Sequence, residues 1–348
     1  MGSTEPPGAD DPALPRADRE SAADATLPYA DLDPTAVLDA VESVGFACSG
    51  HVFALNSFEN RVFRIGLEDA PPVVGKFYRP GRWADAAIVE ELEFTRELEQ
   101  AEIPVVAPLV VDGECLFRHA GFRFALFPLR GGLAPELDQA DTLEQLGRAL
   151  GRLHQVGAQR AFKHRGRIDL LSHGEAPLAT LMDGGWLPPE LEESFEQTAD
   201  ALLDAIEDCF DASAPLAELR LHGDCHPGNL LWREGQIQFV DFDDCLTGPA
   251  MQDLWMLLSG SREDMRRQLG HLLEGYSQFY ALDPRELVLI EALRSLRLLH
   301  YNAWLARRWR DPAFPAAFPW FGERSHFDRL LGQLRDQLDL LEGPALRL

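Results

Sequence analysis

A short polar passage between apolar segments limits what this chain of 348 residues can fold into. It runs His222-Gly-Asp-Cys-His-Pro-Gly-Asn229, and Asp241 follows at the end of a later apolar run. The surrounding residues 219–248 predict a loop and a hairpin with strands at 229–232 and 236–240. Three polar residues at fixed spacing therefore lie on loops beside this hairpin: Asp224, Asn229 and Asp241.

These residue types suit phosphoryl transfer from ATP, which requires an oriented acceptor hydroxyl and Mg²⁺ held across the phosphates. We predict that Asp224 is the catalytic base and that Asn229 and Asp241 bind Mg²⁺ through oxygen atoms, so that Asp241 is also a catalytic residue. The spacing H-x-D-x-x-x-x-N, followed by Asp after a strand, parallels the catalytic elements of protein kinases. Ordinary β-turns are one competing interpretation. A zinc site in residues 222–226 is another, but its ligands lack the usual paired spacing.

A lysine inside an apolar strand is the cation expected at the ATP phosphates. Lys76 lies in Val73-Val-Gly-Lys-Phe77, where an unpaired ammonium would be costly to bury. Glu91 has the helical position to face the sheet and form the ion pair that orients such a lysine. Glu90 is the alternative partner, because sequence alone does not fix the rotation of the helix. A lysine at a strand edge that reaches solvent is the simpler interpretation.

Two further segments are expected to contact ATP. No glycine-rich loop precedes Lys76, and residues 55–61 occupy the turn between the first two strands. Ser57 and the backbone amides of this turn are predicted to contact phosphate, with an ordinary hairpin turn as the alternative. Residues 124–128 end a strand where an interlobe hinge would bind adenine, or they form a plain core strand.

The order of predicted elements gives the fold class. Strands at 51–55, 61–67 and 73–78 are followed by a helix at 84–101 and strands at 116–119 and 122–128, and helices dominate afterwards. We therefore expect an α+β, bilobal, protein-kinase-like fold: a small antiparallel-sheet N-lobe with one main helix, and a larger, mostly helical C-lobe. The expected domains are a disordered acidic tail at 1–30, a nucleotide-binding N-lobe at 31–130, and a catalytic and substrate-binding C-lobe at 131–348.

Composition excludes several classes of partner. The net charge of −25, from 57 acidic and 32 basic residues, opposes binding to nucleic acid or to an anionic membrane. No apolar run approaches the roughly 20 residues of a membrane-spanning helix. Residues 1–19 lack the pattern of a secretory signal, and the five cysteines have no metal or disulfide spacing. We expect a cytoplasmic protein without nucleic-acid or membrane partners.

These motifs resemble the aminoglycoside and choline phosphotransferase superfamily, whose hallmark is H-G-D-x-x-x-x-N followed by a downstream Asp. More closely, several segments are similar to the bacterial stress response kinase A, or YihE-type, family, and the likeness covers roughly residues 31–340. The segments that carry it are 55–63, 74–83, 220–229, 252–258 and 307–315.

The resemblance implies a cytoplasmic, monomeric serine/threonine protein kinase that autophosphorylates, acts on protein substrates and functions in stress response. It also implies that Ser57 contacts the ATP phosphates, that Asp224 accepts the proton, and that Asn229 and Asp241 bind Mg²⁺. A kinase for a small alcohol or amine shares this catalytic set, and the short segment between Asp241 and the next helix favours it. A nucleotide-binding pseudokinase is a third hypothesis, against which the intact catalytic residues argue.

Overall fold

The computed structural model describes residues 27–348, so most of the predicted tail at 1–30 lies outside the described residues. Two compact units are present. The helical unit comprises Asp169–Ala214 and Glu291–Ala345. The sheet-containing unit comprises Tyr29–Ile168, Pro215–Ile290 and Leu346–Leu348. The predicted lobe boundary at 130–131 lies within the sheet-containing unit and stays a prediction.

Helices and strands follow the predicted order. The helices are α1 Pro34–Glu42, α2 Asp85–Gln100, α3 Ala140–Gly157, α4 Ala176–Asp183, α5 Pro189–Ser213, α6 Met251–Trp255, α7 Arg262–Tyr276, α8 Leu289–Arg308, α9 Ala313–Ala317 and α10 Arg324–Glu342. The strands are β1 Cys48–Ala54, β2 Arg61–Leu67, β3 Val73–Phe77, β4 Phe117–His119, β5 Phe122–Pro128, β6 Leu219–Leu221, β7 Leu230–Arg233, β8 Gln236–Phe239 and β9 Leu246–Gly248.

The first five strands form one antiparallel sheet in the order β1-β2-β3-β5-β4. Successive residues of a strand point to opposite faces. Phe124 and Leu126 of β5 therefore pack with α1 on one face of the sheet, while Ala125 packs with α2 on the other. Helices cover both faces of this sheet, so its middle strand, β3, is mostly buried.

The loop and hairpin predicted at 219–248 are present. Strands β7 and β8 pair antiparallel, with Leu231 opposite Gln238. Strands β6 and β9 also pair across this region, which the sequence analysis did not predict, because three-residue strands show too little periodicity to recognise. The resulting frame holds both ends of the polar passage.

Helices α3 and α7 pack with their backbones in contact. A Cβ atom at Gly147 would lie 1.9 Å from the carbonyl oxygen of Leu272, and one at Gly275 would lie 2.0 Å from that of Glu144. Only glycine permits this approach, so any side chain at either position would push the helices apart. The contact places Tyr276 against His154 beneath the polar passage.

The helical unit is built mainly by α5 packed against α10. Both are long helices in the part of the chain that was predicted to be mostly helical. Helices α4 and α9 were not predicted, because elements of eight and five residues are shorter than the window that reveals helical periodicity. An aromatic cluster of Trp186, Trp309 and Phe321 lies in the core of this unit.

The predicted α+β class is confirmed, with an antiparallel N-terminal sheet followed by mostly helical structure. Within residues 27–348, none of the helices combines the length and the apolar character needed to cross a lipid bilayer.

Candidate active site

A cavity of about 350 Å³ in the sheet-containing unit collects five of the six predicted site residues. This volume falls in the usual range of small-molecule sites. The sixth residue, Asp224, does not line the cavity but contacts Asn229, which does. The five that line it are Ser57, Lys76, Glu91, Asn229 and Asp241.

Lys76 is the centre of a cluster of carboxylates. Its Nζ lies 3.0 Å from Glu91 Oε1, 3.0 Å from Asp241 Oδ1 and 3.2 Å from Asp243 Oδ1. Burial alone would lower the pKa of Lys76, but these carboxylates outweigh burial and raise the pKa well above its usual value. Lys76 therefore stays a cation throughout the physiological range and points into the cavity.

The structure contains the predicted Lys76–Glu91 ion pair and rejects Glu90 as the partner. Glu90 instead accepts hydrogen bonds from the backbone amides of residues 163, 164 and 165. Burial raises the pKa of Glu91, although the neighbouring Lys76 ammonium acts in the opposite direction. The two adjacent glutamates thus separate into one that orients the lysine and one that ties a distant loop to α2.

The loop at 222–229 is held from below by Asp253 on α6. One carboxylate oxygen of Asp253 accepts from the backbone amide of His222 at 2.8 Å, and the other accepts from that of Gly223 at 2.8 Å. The Nε2 atom of His154 lies 3.1 Å from the same carboxylate. Asp253 therefore fixes the backbone of the loop from a buried helix.

Glycine is required at position 223, where the loop passes close to residues 241–244, which we call the acidic segment. The φ of Gly223 is +84°, and a Cβ atom there would lie 2.2 Å from the carbonyl oxygen of Asp244. His222 joins the same two segments, since its Nδ1 accepts from the amide of Asp224 and its Nε2 therefore donates to the carbonyl of Val240 at 2.9 Å. The loop and the acidic segment are consequently locked in register.

Asn229 turns its amide oxygen away from the loop. Its Nδ2 donates to the backbone carbonyl of Asp224 at 3.0 Å and lies 3.3 Å from the Asp224 carboxylate. A carbonyl oxygen only accepts hydrogen bonds, so the amide nitrogen must face it and the amide oxygen is left for another partner. The Asp224 carboxylate also lies 3.4 Å from His226 Nε2.

Asp241 has a strained backbone and an exposed carboxylate. Its φ of 59° lies in the left-handed region, which costs a residue other than glycine about 1 kcal/mol. Its side chain is 52% exposed, in contrast to the buried Lys76 and Asp243. Backbone strain of this kind is concentrated at functional sites, where a side chain must point in one direction. Here the Asp241 carboxylate faces the cavity.

The donor set of Asn229 and Asp241 fits Mg²⁺, which takes oxygen ligands and is usually bound by one or two protein groups with phosphate and water completing the octahedron. Among residues 27–348 there is no cluster of three or more His, Cys, Asp and Glu side chains that would hold a metal without such additional ligands. The two residues are therefore suited to a metal that arrives with phosphate.

Ser57 lines the cavity, but its hydroxyl is committed within its own turn. The Oγ atom donates to the carbonyl of Asn60 at 3.0 Å, so in this arrangement it can only accept from other groups. The predicted contact of Ser57 with phosphate stays a prediction.

The predicted hinge also reaches the cavity. Phe127 and Pro128 at the end of β5 line it, together with Leu129 and Arg130. Aliphatic side chains from both sides of the cavity form its apolar walls, which suit a flat heterocycle. These side chains are Leu55, Val62, Val74, Val106, Leu231 and Val240.

Sequence analysis missed three charged residues of the site. Asp243 is buried beside Lys76 and pairs with Arg82, and Arg165 donates to the carbonyls of Asp243 and Cys245. Arg82, Lys76 and Arg165 together hold the pKa of Asp243 far below its usual value in spite of burial. The run of acids at 241–244 was the available signal for Asp243, whereas nothing local marks arginines that arrive from distant segments.

Comparison with known proteins identifies the family. Residues 52–299 match the phosphotransferase enzyme family APH. The chain is 42% identical over 317 residues to stress response kinase A of Escherichia coli K12, covering 91% of this chain and 96% of that protein. It is also 42% identical over 325 residues to the serine/threonine protein kinase RdoA of Salmonella typhimurium, covering 93% and 98%. The resemblance inferred from the motifs is confirmed.

The fold is likewise shared with a solved structure. The amicoumacin kinase hAmiN, in complex with AMP-PNP, Ca²⁺ and Ami, superimposes with a TM-score of 0.66 at 21% identity, covering 86% of this chain and 94% of that one. The kinase-like fold class is therefore confirmed, as is the prediction that the chain is a phosphotransferase. With motifs, site and relatives in agreement, this chain belongs to the APH phosphotransferase enzyme family.

Proposed function

We propose that this protein is an ATP- and Mg²⁺-dependent serine/threonine protein kinase. One observation supports phosphoryl transfer above all. A single cavity is lined by Lys76, Glu91, Asn229 and Asp241, and Asp224 lies beside Asn229. An oriented cation, two oxygen ligands for a metal and a carboxylate base are the parts that this reaction requires.

ATP fits the cavity in one orientation. The aliphatic walls and the backbone of residues 127–130 suit adenine, while Lys76 and Asp241 mark the polar end for the phosphates. Glu91 fixes the Lys76 ammonium so that it contacts phosphate oxygens without losing orientation. Asn229 and Asp241 would hold Mg²⁺ at this end, and the ion would neutralise the charge that develops on the phosphates during transfer.

Asp224 completes the reaction as base. As the acceptor oxygen forms its bond to the γ-phosphorus, the bond from that phosphorus to the β-phosphate oxygen breaks and ADP leaves. The proton of the acceptor hydroxyl passes to the Asp224 carboxylate, whose position is set by the loop that Asp253 supports. The orientation of this carboxylate, rather than strong basicity, is its main contribution.

The choice of a protein acceptor is supported by the relatives. Stress response kinase A and the serine/threonine protein kinase RdoA are similar to this chain over more than nine tenths of its length. By that likeness we propose transfer to protein serine and threonine, including autophosphorylation, in a bacterial stress response. A cytoplasmic monomer without nucleic-acid or membrane partners is the matching proposal for its setting, and the net charge of −25 supports the lack of polyanionic partners.

A small-molecule kinase is the second candidate. Only residues 242–250 lie between Asp241 and α6, and they are occupied by a 3-10 turn and β9. This leaves no long segment of the kind that binds peptide substrates in regulated protein kinases. The amicoumacin kinase, which shares the fold, has a small-molecule acceptor by its name.

The test is transfer of labelled γ-phosphate from Mg-ATP to the protein itself and to a generic basic protein. Asp224→Asn is the control with impaired transfer, and Asp200→Asn on the exposed face of α5 is the matched surface control. We expect equal labelling of serine or threonine with the parent and with Asp200→Asn, and labelling slower by about 10²-fold with Asp224→Asn. Tight Mg-ATP binding with no label on protein would instead support the small-molecule acceptor.

A further inference from the structure

The turn between β1 and β2 is held in place by hydrogen bonds that its backbone carbonyl groups accept. We call residues 56–60 the phosphate turn. Arg79 is 4% exposed; its Nε donates to the carbonyl of Glu59 at 3.0 Å and its Nη2 to that of Phe58 at 3.4 Å. Its backbone amide donates to Asn60 Oδ1 at 3.1 Å. In a trans peptide the carbonyl and the next amide point in opposite directions, so Arg79 also sets the direction of the amides that follow.

Arg82, three residues later, holds the acidic segment, residues 241–244. Its guanidinium pairs with Asp243 and, at 2.5 Å, with Asp244. The side chains of Arg82 and Asp243 are 14% and 5% exposed, so this ion pair is shielded from water, whereas the Asp244 side chain is 45% exposed. Asp243 in turn contacts Lys76, which makes Arg82 a competitor of Lys76 for the same carboxylate.

Glu59 joins the two arginines. Its Oε1 lies 3.1 Å from Arg79 Nε and 3.8 Å from Arg82 Nε. Glu59 does not line the cavity, and neither arginine does. A continuous chain of charged contacts therefore runs from Glu59 of the phosphate turn through Arg82 to the acidic segment, outside the space that ATP would fill.

We propose that Arg79, Glu59 and Arg82 form an arginine brace that positions the phosphate turn and the acidic segment 241–244 as one unit. The brace replaces the flexible glycine-rich loop, absent before Lys76, with a turn of fixed shape. It also neutralises Asp243 and Asp244, so that Lys76 is not drawn wholly to Asp243 and Asp241 stays available to the metal. All three are positioning residues and contact neither substrate nor metal.

The fork of Arg82 is essential to this role. A guanidinium presents several N–H donors in a fixed plane and reaches three carboxylates at once, whereas a lysine ammonium is a point charge on a flexible stem. Arg82→Lys therefore keeps the charge but loses the bridge, and Glu59→Gln keeps the shape but loses the charge between the arginines. Arg118→Lys, at an exposed ion pair with Asp85, is the matched control.

The first readout is hydrogen exchange in the full-length protein without ATP. Arg82 reaches the phosphate turn only through Glu59, yet the brace predicts faster amide exchange at residues 56–60 in Arg82→Lys as well as in Glu59→Gln. Unchanged exchange there in Arg82→Lys would overturn the proposal. This measurement does not depend on the identity of the reaction, so it stands even if the parent transfers no phosphate.

The second readout is kinetic and rests on the proposed function. Displacing phosphate-binding groups by about 1 Å costs up to about 100-fold in rate, so we expect kcat to fall by about 10-fold to 100-fold in each variant, with little change in the acceptor KM. The double variant should be no slower than the slower single variant, because both disrupt one unit. Multiplying effects would show two independent contacts and overturn the brace.

Discussion

The catalytic loop at 222–229 and the acidic segment at 241–244 face the same cavity but are stabilised in different ways. Backbone amides and short-range hydrogen bonds hold the loop, chiefly through Asp253. Ion pairs with residues far away in sequence hold the acidic segment, through Lys76 and Arg82. The loop and the Asp253 carboxylate that supports it consequently form a hydrogen-bonded frame. The acidic segment is held instead by a cluster of opposite charges.

This difference predicts how each part fails. A buried ion pair that loses one partner leaves an uncompensated charge, which is far more costly than the pair itself is stabilising. A carboxylate that accepts from backbone amides instead loses one bond at a time, at about 1 kcal/mol to 3 kcal/mol for each buried donor left unpaired. Substitutions in the acidic segment should therefore affect charge and catalysis together, and those beneath the loop should affect stability first.

The largest effect is expected for Asp241→Ala. The substitution removes the carboxylate that we propose binds the metal, while leaving Asp243 paired with Lys76 and Arg82, so the fold should persist. We expect Mg²⁺-dependent turnover to fall by about 10³-fold, which corresponds to about 4 kcal/mol of lost transition-state stabilisation. Steady-state kinetics over a Mg²⁺ titration measure it, with the exposed Asp69→Ala as control. Full activity of Asp241→Ala would contradict the metal assignment.

Asp224→Asn should lower turnover somewhat less, by about 10²-fold. A positioned base contributes about 10²-fold to 10⁴-fold in general, and the loose transition state of phosphoryl transfer places the demand at the lower end. Because Asp224 does not line the cavity, binding of Mg-ATP should be unchanged. Calorimetry of nucleotide binding and single-turnover kinetics separate the two quantities. Weaker nucleotide binding with normal chemistry would assign Asp224 to the wrong step.

The same contrast explains what the sequence could predict. The loop is specified locally, so Asp224 and Asn229 were recognisable from their spacing. The pairing of Lys76 with a glutamate of α2 was also predictable, but Glu91 and Glu90 both stayed open, because sequence alone does not fix the rotation of the helix. The pairing of Asp243 with Arg82 and Arg165 was not predictable, since arginines from distant segments meet only once the chain has folded.

Ser57 shows a further limit of sequence reasoning. Its position in the cavity follows from the turn between two strands, which the sequence predicted. The bond of its hydroxyl to Asn60 depends on the conformation of the turn, which Arg79 sets from outside. Residue type and spacing identify where a side chain lies more readily than which of its atoms is free.

Asp253→Asn tests the hydrogen-bonded frame. Asparagine keeps one acceptor oxygen but turns an NH₂ group toward a backbone amide that needs an acceptor, so one buried donor is left unpaired. We expect the free energy of unfolding to fall by about 2 kcal/mol and kcat to fall by less than about 10-fold. Urea denaturation and kinetics measure the two, with Asp204→Asn on the exposed side of α5 as control. A loss of activity without loss of stability would mean that the loop is not held by this frame.

Glu286 supplies the smallest and most selective test, because it anchors α6 beneath the loop. It is 2% exposed and accepts from the backbone amide of Met251 at 2.8 Å, and burial raises its pKa to about 7. A carboxyl whose folded pKa exceeds its unfolded value near 4.5 binds more protons in the folded state over this interval. Its contribution to stability is therefore complete below about pH 4.5 and is lost as the pH rises toward 7.

Glu286→Gln keeps the acceptor for Met251 and removes the titration. Between about pH 6 and about pH 8 the parent should lose about 1 kcal/mol more of its unfolding free energy than Glu286→Gln does. Urea denaturation at both pH values gives the difference. The nucleotide KM should be the same in both proteins, because Glu286 anchors α6, which supports the loop, and does not contact the ion pairs around Lys76. A pH-dependent change in that KM on substitution would mean that the frame and the charge cluster respond as one system, and the distinction between the two segments would then be wrong.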